Sequence, residues 1–260
     1  MRHQNKYDRL VPFARALPQL RRRLTADLRT VSLTKAKVIA AVVQLLEKTF
    51  IRVGNIEYAR SNKSFGLTTL KDGHVKIRGA ELRFEFRGKS GIRQSVTFAD
   101  ARLARIVKRC QDIPGQELFQ YVDEDGRRRP VTSADVNAYL GDAMGAEFTA
   151  KDFRTWAGTL LTALALRDES VESTDRKKKG TVVRAIERVA SHLGNTASVC
   201  RACYIHPYVI ESYSDGTLHE QLATTKRGVR GLSSDEAAVL ALLEHRRDWR
   251  AALAEAARAA

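Results

Sequence analysis

The chain has 260 residues, of which 43% are hydrophobic, enough for one large domain or two small ones. Its 45 Lys and Arg residues outnumber its 30 Asp and Glu residues, and the formal net charge of +15 favours a polyanionic partner. No apolar run approaches the roughly 20 residues that cross a bilayer, and the basic N-terminus lacks a signal-peptide core, so we expect neither a membrane span nor secretion.

The first predicted elements are helices over residues 8 to 50. One carries Leu residues at near-helical spacing between Leu10 and Leu28, with an interruption predicted at Pro18. The next carries an apolar face from Val38 to Phe50.

A small antiparallel sheet is predicted next, because the pattern changes to short segments with alternating or β-branched residues. Turn signals lie at Asp72-Gly73 and at 87–91. Three or four strands are expected, over 65–70, 74–77, 82–86 and 94–98.

Helical periodicity then returns over 99–110, 133–144 and 149–166. The polar stretch 168–180 predicts a mobile connection or a phosphate-contacting loop, followed by a helix over about 182–193 that Gly194 is suited to end. A last helix is predicted to open at Ser234, with Trp249 on its apolar face. The predicted fold class is α+β, mostly helical, with a sheet subregion at about 52–98 and a helical subregion at about 99–260.

The most informative segment for function is Lys151-Asp152-Phe153-Arg154-Thr155-Trp156. It places Arg154 between two large apolar residues of a helix, where a charge requires a partner. Leu193-Gly194-Asn195-Thr196 follows later, and Tyr204 comes after it beside further basic residues. An arginine and a tyrosine in a basic protein suit an enzyme whose tyrosine attacks a nucleic-acid phosphate.

These segments resemble the catalytic domain of type IB DNA topoisomerases, of the short poxvirus and bacterial kind. The resemblance rests on five motifs in order and extends from Tyr7 to Trp249. It implies the fold of DNA breaking-rejoining enzymes and relaxation of double-stranded DNA through a 3′-phosphotyrosyl intermediate.

The resemblance also implies roles for individual residues. Arg52, in Phe50-Ile51-Arg52-Val53-Gly54, and Arg154 match the two catalytic arginines of the family, which bind nonbridging phosphate oxygens in fork geometry. Lys89, in a G-K turn after a strand, matches the general acid, and Tyr204 matches the nucleophile.

Other positions match the family less exactly. Asn195 stands where many relatives carry histidine; its amide can donate the same hydrogen bond but cannot carry a proton. Lys151, Tyr58 and Arg201 are expected as further DNA contacts. We expect this chain to lack the β-rich N-terminal domain that precedes the family's catalytic domain.

No metal or other cofactor is predicted. The acidic residues form no ligand-like cluster near the arginines, and no G-x-x-x-x-G-K-[ST] loop for a nucleotide is present. Cys200 and Cys203 form a single C-x-x-C pair that lacks the second pair of a zinc site. With Cys110 they make three cysteines, too few for a disulfide framework, so we expect a cytoplasmic protein, nucleoid-associated if bacterial. A monomer is also expected.

Two other functions compete with this interpretation. A tyrosine recombinase or integrase shares the tyrosine chemistry, but typically carries an H-x-x-R segment where this chain has Lys151-Asp152-Phe153-Arg154. A non-catalytic DNA-binding module would explain the charge, yet binding alone does not require a tyrosine at this spacing.

Overall fold

A computed structural model describes residues 7–145, 148–170, 174–223 and 228–259, with side chains described as far as Arg246. The chain divides into two compact units. We call residues 19–153 the mixed unit and residues 1–18 with 154–260 the helical unit. Both divisions fall inside helices, at Pro18 and between Phe153 and Arg154. The predicted class, a mostly helical α+β fold, is confirmed.

The mixed unit combines helices with short strands. Its elements are part of α1 (Leu10–Arg29), α2 (Lys35–Thr49), α3 (Ile56–Asn62), β1 (Val75–Arg78), β2 (Glu81–Arg87), β3 (Arg93–Ala99), α4 (Ala101–Gln111), β4 (Gln120–Val122), β5 (Arg128–Pro130), α5 (Ser133–Met144) and the start of α6 (Ala150–Arg167).

Helix α2 lies at the centre of the mixed unit because it is apolar on nearly every side. Thr34 begins the helix by accepting a hydrogen bond from the amide of Lys37. The residues from Val38 to Val43 are all buried, and α2 contacts α4, α5 and β4. A helix with so little polar surface is stable only when most of it is surrounded in this way.

Strands β1, β2 and β3 form an antiparallel sheet with β2 in the middle. Leu82, Phe84 and Phe86 alternate with more exposed residues along β2 and form its buried face. Helix α4 packs against β2. The turn from β2 to β3, Lys89–Gly91, is therefore attached to a well-packed hairpin.

The helical unit contains the described N-terminal part of α1 and the rest of α6. They are followed by α7 (Asp175–His192), α8 (Ala197–Tyr204), α9 (Pro207–Asp215), α10 (Leu218–Ala223) and α11 (Ser234–Ala259). Helix α7 packs against α8 and α9, and α10 packs against α9 and α11. Among the described residues, no helix is long and apolar enough to cross a membrane.

The predicted start of the last helix at Ser234 is confirmed. Ser233 and Glu236 cap it reciprocally, each side chain accepting a hydrogen bond from the other residue's amide. The predicted place of Trp249 on the apolar face lies outside the described side chains.

The predicted interruption at Pro18 is wrong, because α1 runs through it. Proline in a helix interior costs about 3 kcal/mol. Leu10, Leu17, Leu20 and Leu24 are buried along the same helix, and burying a leucine contributes roughly 1.5–3 kcal/mol. The packing therefore outweighs the lost hydrogen bond.

The prediction of a polar connection over 168–180 is wrong in its second half, since α7 begins at Asp175; residues 171–173 lie outside the described part. Thr174 caps the helix by accepting from the amide of Lys177. The buried residues Val182 and Ile186 extend the helical spacing, so the run of basic residues at 176–179 is its solvent-facing first turn.

The predicted strand over 65–70 is also wrong, since Leu67–Thr69 is a 3₁₀ turn. The Thr69 hydroxyl bonds both backbone groups of Gly66, and this local pairing replaces a strand ladder. Helix α3 and the antiparallel pair β4–β5 were not predicted. Strands β4 and β5 form a second small sheet among the described residues.

Candidate active site

The arginine of helix α6 is buried, with only 5% of its surface exposed. The helix begins where Thr149 donates its backbone amide to the carboxylate of Asp152 at 2.8 Å. Phe153 and Trp156, on either side of Arg154, are also buried. A buried guanidinium needs an acceptor, and Arg154 Nη2 donates to the carbonyl oxygen of Leu193 at 2.6 Å.

That acceptor is available because of how α7 ends. Gly194 adopts the left-handed conformation, with φ of 59°, which glycine reaches without steric cost. Its amide donates to Ser191, and the amide of Asn195 donates to Ala190, which is the Schellman pattern. The carbonyl of Leu193 accepts from Arg154, and the Asn195 side-chain amide lies 3.4 Å from the same oxygen. The turn therefore brings Arg154 and Asn195 to one atom.

Tyr204 is the last residue of α8, a helix that Thr196 caps by accepting from the amide of Val199. The Tyr204 ring is half-buried, and its centroid lies 5.0 Å from the guanidinium carbon of Arg154. A cation at this distance from an aromatic ring is attractive. The structure thus brings three of the predicted site residues, Arg154, Asn195 and Tyr204, together within the helical unit.

Two further tyrosines of the helical unit, Tyr208 and Tyr213, are held by other contacts. Tyr208 is 8% exposed, and its hydroxyl donates to Gln221 at 3.1 Å. Tyr213 is 3% exposed, and its hydroxyl donates to the carbonyl of Ser170 at 3.3 Å. Both residues are buried, and each hydroxyl already donates a hydrogen bond within the protein. These contacts favour the half-buried Tyr204 as the nucleophile. Arg201, one helical turn before it, is exposed.

In the mixed unit, the segment of Arg52 is held through its backbone. The carbonyl of Arg52 accepts from the amide of Leu67 at 2.8 Å, and the carbonyl of Val53 accepts from both the amide and the hydroxyl of Thr68. A Cβ added to Gly66 would lie 2.5 Å from the Arg52 carbonyl oxygen. The backbone of Arg52-Val53-Gly54 therefore packs directly against the segment Gly66-Leu67-Thr68-Thr69-Leu70. The Arg52 side chain is half-buried.

The other predicted residues of the mixed unit lie nearer the surface. Lys89 is exposed in the turn between β2 and β3, where Ser90 has a φ of 61°. Tyr58 is 62% exposed on the short helix α3, which Asn55 caps. Lys151 is exposed in the first turn of α6. These exposed side chains are accessible to a large anionic ligand.

Comparison with known proteins decides the family. The family described as "Eukaryotic DNA topoisomerase I, catalytic core" matches residues 1–228 of this chain. The chain belongs to the DNA topoisomerase I family. The resemblance stated from the sequence is therefore confirmed.

Relatives of this topoisomerase I chain occur in viruses and plants. DNA topoisomerase 1B of Acanthamoeba polyphaga mimivirus is 33% identical over 219 residues, which cover 82% of this chain and 65% of that protein. DNA topoisomerase 1B of Vaccinia virus (strain Copenhagen) is 24% identical over 75% of this chain and 60% of its own length. DNA topoisomerase 1 beta of Arabidopsis thaliana is 26% identical over 72% of this chain and 20% of its own. The chain spans less than two thirds of the length of these relatives.

Two residues of the topoisomerase I chain that contact Tyr204 were missed from the sequence, Gly158 and Thr159. Both lie on α6 after Arg154, and both touch the backbone of Tyr204. A signal was present in the sequence, because a glycine inside a helix costs about 1 kcal/mol relative to alanine and so stands out in the predicted helix.

The cysteines of this topoisomerase I chain are all free. Cys200 is buried, and burial raises the pKa of its thiol to about 11, whereas Cys203 is half-buried. Over the described ranges, no three His, Cys, Asp or Glu side chains are grouped as metal ligands.

Proposed function

We propose that this chain carries the catalytic activity of a type IB DNA topoisomerase, which relaxes supercoiled double-stranded DNA by cutting and rejoining one strand. The observation that carries the proposal is the contact between buried Arg154 and the ring of Tyr204, with Asn195 bonded to the same turn. A fixed guanidinium beside a partly exposed tyrosine suits attack on a phosphate, because the arginine stabilises charge that develops in the transition state.

The reaction exchanges one phosphodiester for another. The Tyr204 oxygen bonds to phosphorus, its phenol proton leaves to solvent, and the bond from phosphorus to the 5′ oxygen breaks. Lys89 gives a proton to the departing 5′ oxygen, leaving the 3′ phosphate on Tyr204. Rejoining reverses each step, with the Lys89 amine taking the proton of the 5′ hydroxyl. Because the number of phosphodiester bonds is unchanged, the cycle needs no ATP.

The remaining residues bind the DNA or its reacting phosphate. Arg52 and Arg154 each donate two hydrogen bonds to the nonbridging oxygens, and Asn195 donates one more from its amide. Lys151, Tyr58 and Arg201 contact the DNA backbone on either side. The net charge of +15 supports this partner, since neutralised phosphates release counterions.

In this proposal the arginines supply the positive charge that a metal ion supplies in other phosphoryl-transfer sites, so the enzyme works without a metal. It acts as a monomer and in the cytoplasm.

Plasmid relaxation in EDTA without ATP tests the proposal. Positively and negatively supercoiled plasmids should both be converted to a ladder of topoisomers. A strict requirement for magnesium or ATP would contradict the metal- and ATP-independent mechanism.

The same assay separates the competing functions. Recombined products would indicate a recombinase. Retarded mobility of the plasmid without any relaxation would indicate a DNA-binding module that has no strand-breaking activity.

A further inference from the structure

Gly158 lies on α6 where the backbone of Tyr204 approaches the helix closely. A Cβ added to Gly158 would lie 2.5 Å from the carbonyl oxygen of Tyr204, 2.8 Å from its Cβ and 3.1 Å from its carbonyl carbon. Two of these distances are below 3.0 Å, which real Cβ contacts essentially never show. All three atoms belong to the main chain or are bonded to it, so no side-chain rotation can relieve the clash.

Arg154 and Gly158 are four residues apart and therefore lie on one face of α6. Arg154 contacts the ring of Tyr204, and Gly158 contacts its backbone. The same short stretch of helix thus fixes both ends of the tyrosine. Because Gly158 has no side chain, the backbone of Tyr204 can lie against α6, and this position places the Tyr204 ring near the Arg154 guanidinium.

Thr159 continues this contact along the chain. Its hydroxyl donates to the carbonyl of Tyr204 at 3.3 Å and accepts from the amide of His206 at 3.0 Å. Helix α8 ends at Tyr204, so that carbonyl and that amide lie where helical pairing stops. Ile205, between them, is 1% exposed. The hydroxyl bridges the two-residue connection from α8 to α9.

We propose that Gly158 is the positioning residue for the nucleophile: its lack of a side chain lets the backbone of Tyr204 lie against α6, and Thr159 holds it there. The proposal rests on the proposed function of Tyr204. It assigns Gly158 no contact with DNA. Displacing the tyrosine backbone by a few tenths of an ångström or more would move the phenol away from the phosphate that Arg154 binds, and misplacement of about 1 Å can slow a reaction about 100-fold.

Gly158→Ala tests this directly, with Gly180→Ala as the matched control. Gly180 is also a helical glycine of the helical unit, but an added Cβ there meets only the Arg184 side chain, at 3.6 Å. Covalent adducts are trapped on supercoiled plasmid with enzyme in excess, and DNA affinity is measured by gel shift. Gly158→Ala should form the adduct roughly 10- to 100-fold more slowly at unchanged DNA affinity. Gly180→Ala should match the wild-type protein.

A second readout does not depend on activity. Cys203 immediately precedes Tyr204 and is half-buried, whereas Cys200 and Cys110 are buried. Alkylation of Cys203 by a maleimide, followed by peptide mass spectrometry, therefore reports displacement of the end of α8. Gly158→Ala should label Cys203 several-fold faster than the wild-type protein, and Gly180→Ala should not.

Variants at Thr159 separate positioning from a general loss of structure. Thr159→Val keeps the shape but removes the hydroxyl, and should slow adduct formation. Thr159→Ser keeps the hydroxyl and should recover most of the wild-type rate.

The possible outcomes distinguish this inference from the proposed function. Wild-type rates of both labelling and adduct formation in Gly158→Ala would overturn the positioning role. Faster Cys203 labelling in that variant, with no adduct even in the wild-type protein, would refute the proposed function while the contact between Gly158 and Tyr204 stands.

Discussion

In the helical unit, Arg154 is 5% exposed and the ring of Tyr204 is half-buried beside it, whereas in the mixed unit Lys89 is exposed on a turn and Arg52 is half-buried. Arg154 is held by the packing of its side chain and by the Leu193 carbonyl. Arg52 is held through its main chain, because the carbonyls of Arg52 and Val53 accept hydrogen bonds from the amides of Leu67 and Thr68.

The two units therefore hold their predicted site residues differently, one by packing of the side chains and the other on an exposed turn. Side chains locked by packing are in place before substrate arrives, which lowers the entropic cost of reaction. A lysine on an exposed turn keeps its rotamer freedom until a ligand orders it. We infer that the proposed nucleophile, Tyr204, and Arg154 are preorganised, whereas Lys89, the proposed general acid, reaches its working position only with DNA bound.

The largest expected effect comes from removing the nucleophile. Tyr204→Phe deletes one oxygen and keeps the ring beside Arg154, so the fold and the affinity for DNA should persist while covalent adduct disappears from denaturing gels. An adduct that survives in this variant would redirect attention to Tyr208 or Tyr213, whose hydroxyls would then have to leave their present partners.

The next largest effect tests the exposed lysine. Lys89→Ala should slow cleavage of an ordinary phosphodiester by about 10²–10⁴, the usual contribution of a general acid. In a substrate with sulfur at the 5′ bridging position, the leaving group is a thiolate that needs little protonation. This substrate should therefore restore most of the cleavage rate that Lys89→Ala loses. In the proposed mechanism Arg52 and Arg154 bind the nonbridging oxygens, so Arg52→Ala and Arg154→Ala should gain little from this substrate.

Equal rescue of all three variants would contradict the distinct role given to Lys89, as would no rescue of Lys89→Ala. Lys151 would then be the next candidate for the acid.

A smaller effect is expected from the backbone contact that holds Arg52. A Cβ at Gly66 would meet the Arg52 carbonyl and two backbone atoms of Gly54 at 2.5–2.7 Å. Gly66→Ala should therefore cost about 1–3 kcal/mol, as overpacking does, and lower the thermal midpoint by several degrees. Gly73→Ala is the control in the same unit, because nothing lies within 4 Å of its added Cβ. Equal thermal midpoints for the two variants would show that the backbone at Arg52 and Gly54 moves to accept the added methyl group without a measurable loss of stability.

Several features of the two units could be predicted from the sequence. Helical periodicity predicted α5 at Ser133–Met144, and the alternation of apolar and polar residues predicted the strands of the hairpin that carries Lys89. The polar partner of Arg154 was predicted from its place between Phe153 and Trp156, since a buried charge must be compensated. The assignment of catalytic roles came from family motifs and is still a prediction.

Other features depend on long-range contacts that no local pattern contains. Gly158 is decisive only because Tyr204, distant in sequence, packs on it. Thr69 turns its own segment into a 3₁₀ helix through a hydroxyl that could equally have faced solvent in a strand. Pro18 remains helical because leucines of α1 are buried around it.

The smallest expected effect concerns His74 in the mixed unit, which ends a 3₁₀ turn directly before strand β1. His74 Nδ1 accepts a hydrogen bond from the amide of Lys71 at 3.0 Å, and its ring packs against Phe65 and Phe86. Burial, together with the positive charge of Lys71, lowers the pKa of His74 below its ordinary value of 6.5. The folded protein therefore holds this imidazole neutral, and a protonated Nδ1 could not accept the bond.

The sign of the pH dependence follows from that lowered pKa. Well above pH 6.5 the ring is neutral in both states, and its contribution to folding is complete. As the pH falls below this value, the unfolded chain binds the proton more readily, so the free energy of unfolding decreases. Thermal midpoints between pH 8 and 5.5 should decline more for the wild-type protein than for His74→Asn, whose amide oxygen can accept the Lys71 bond without titrating. Parallel declines for the two proteins would show that other groups set the acid sensitivity of the mixed unit.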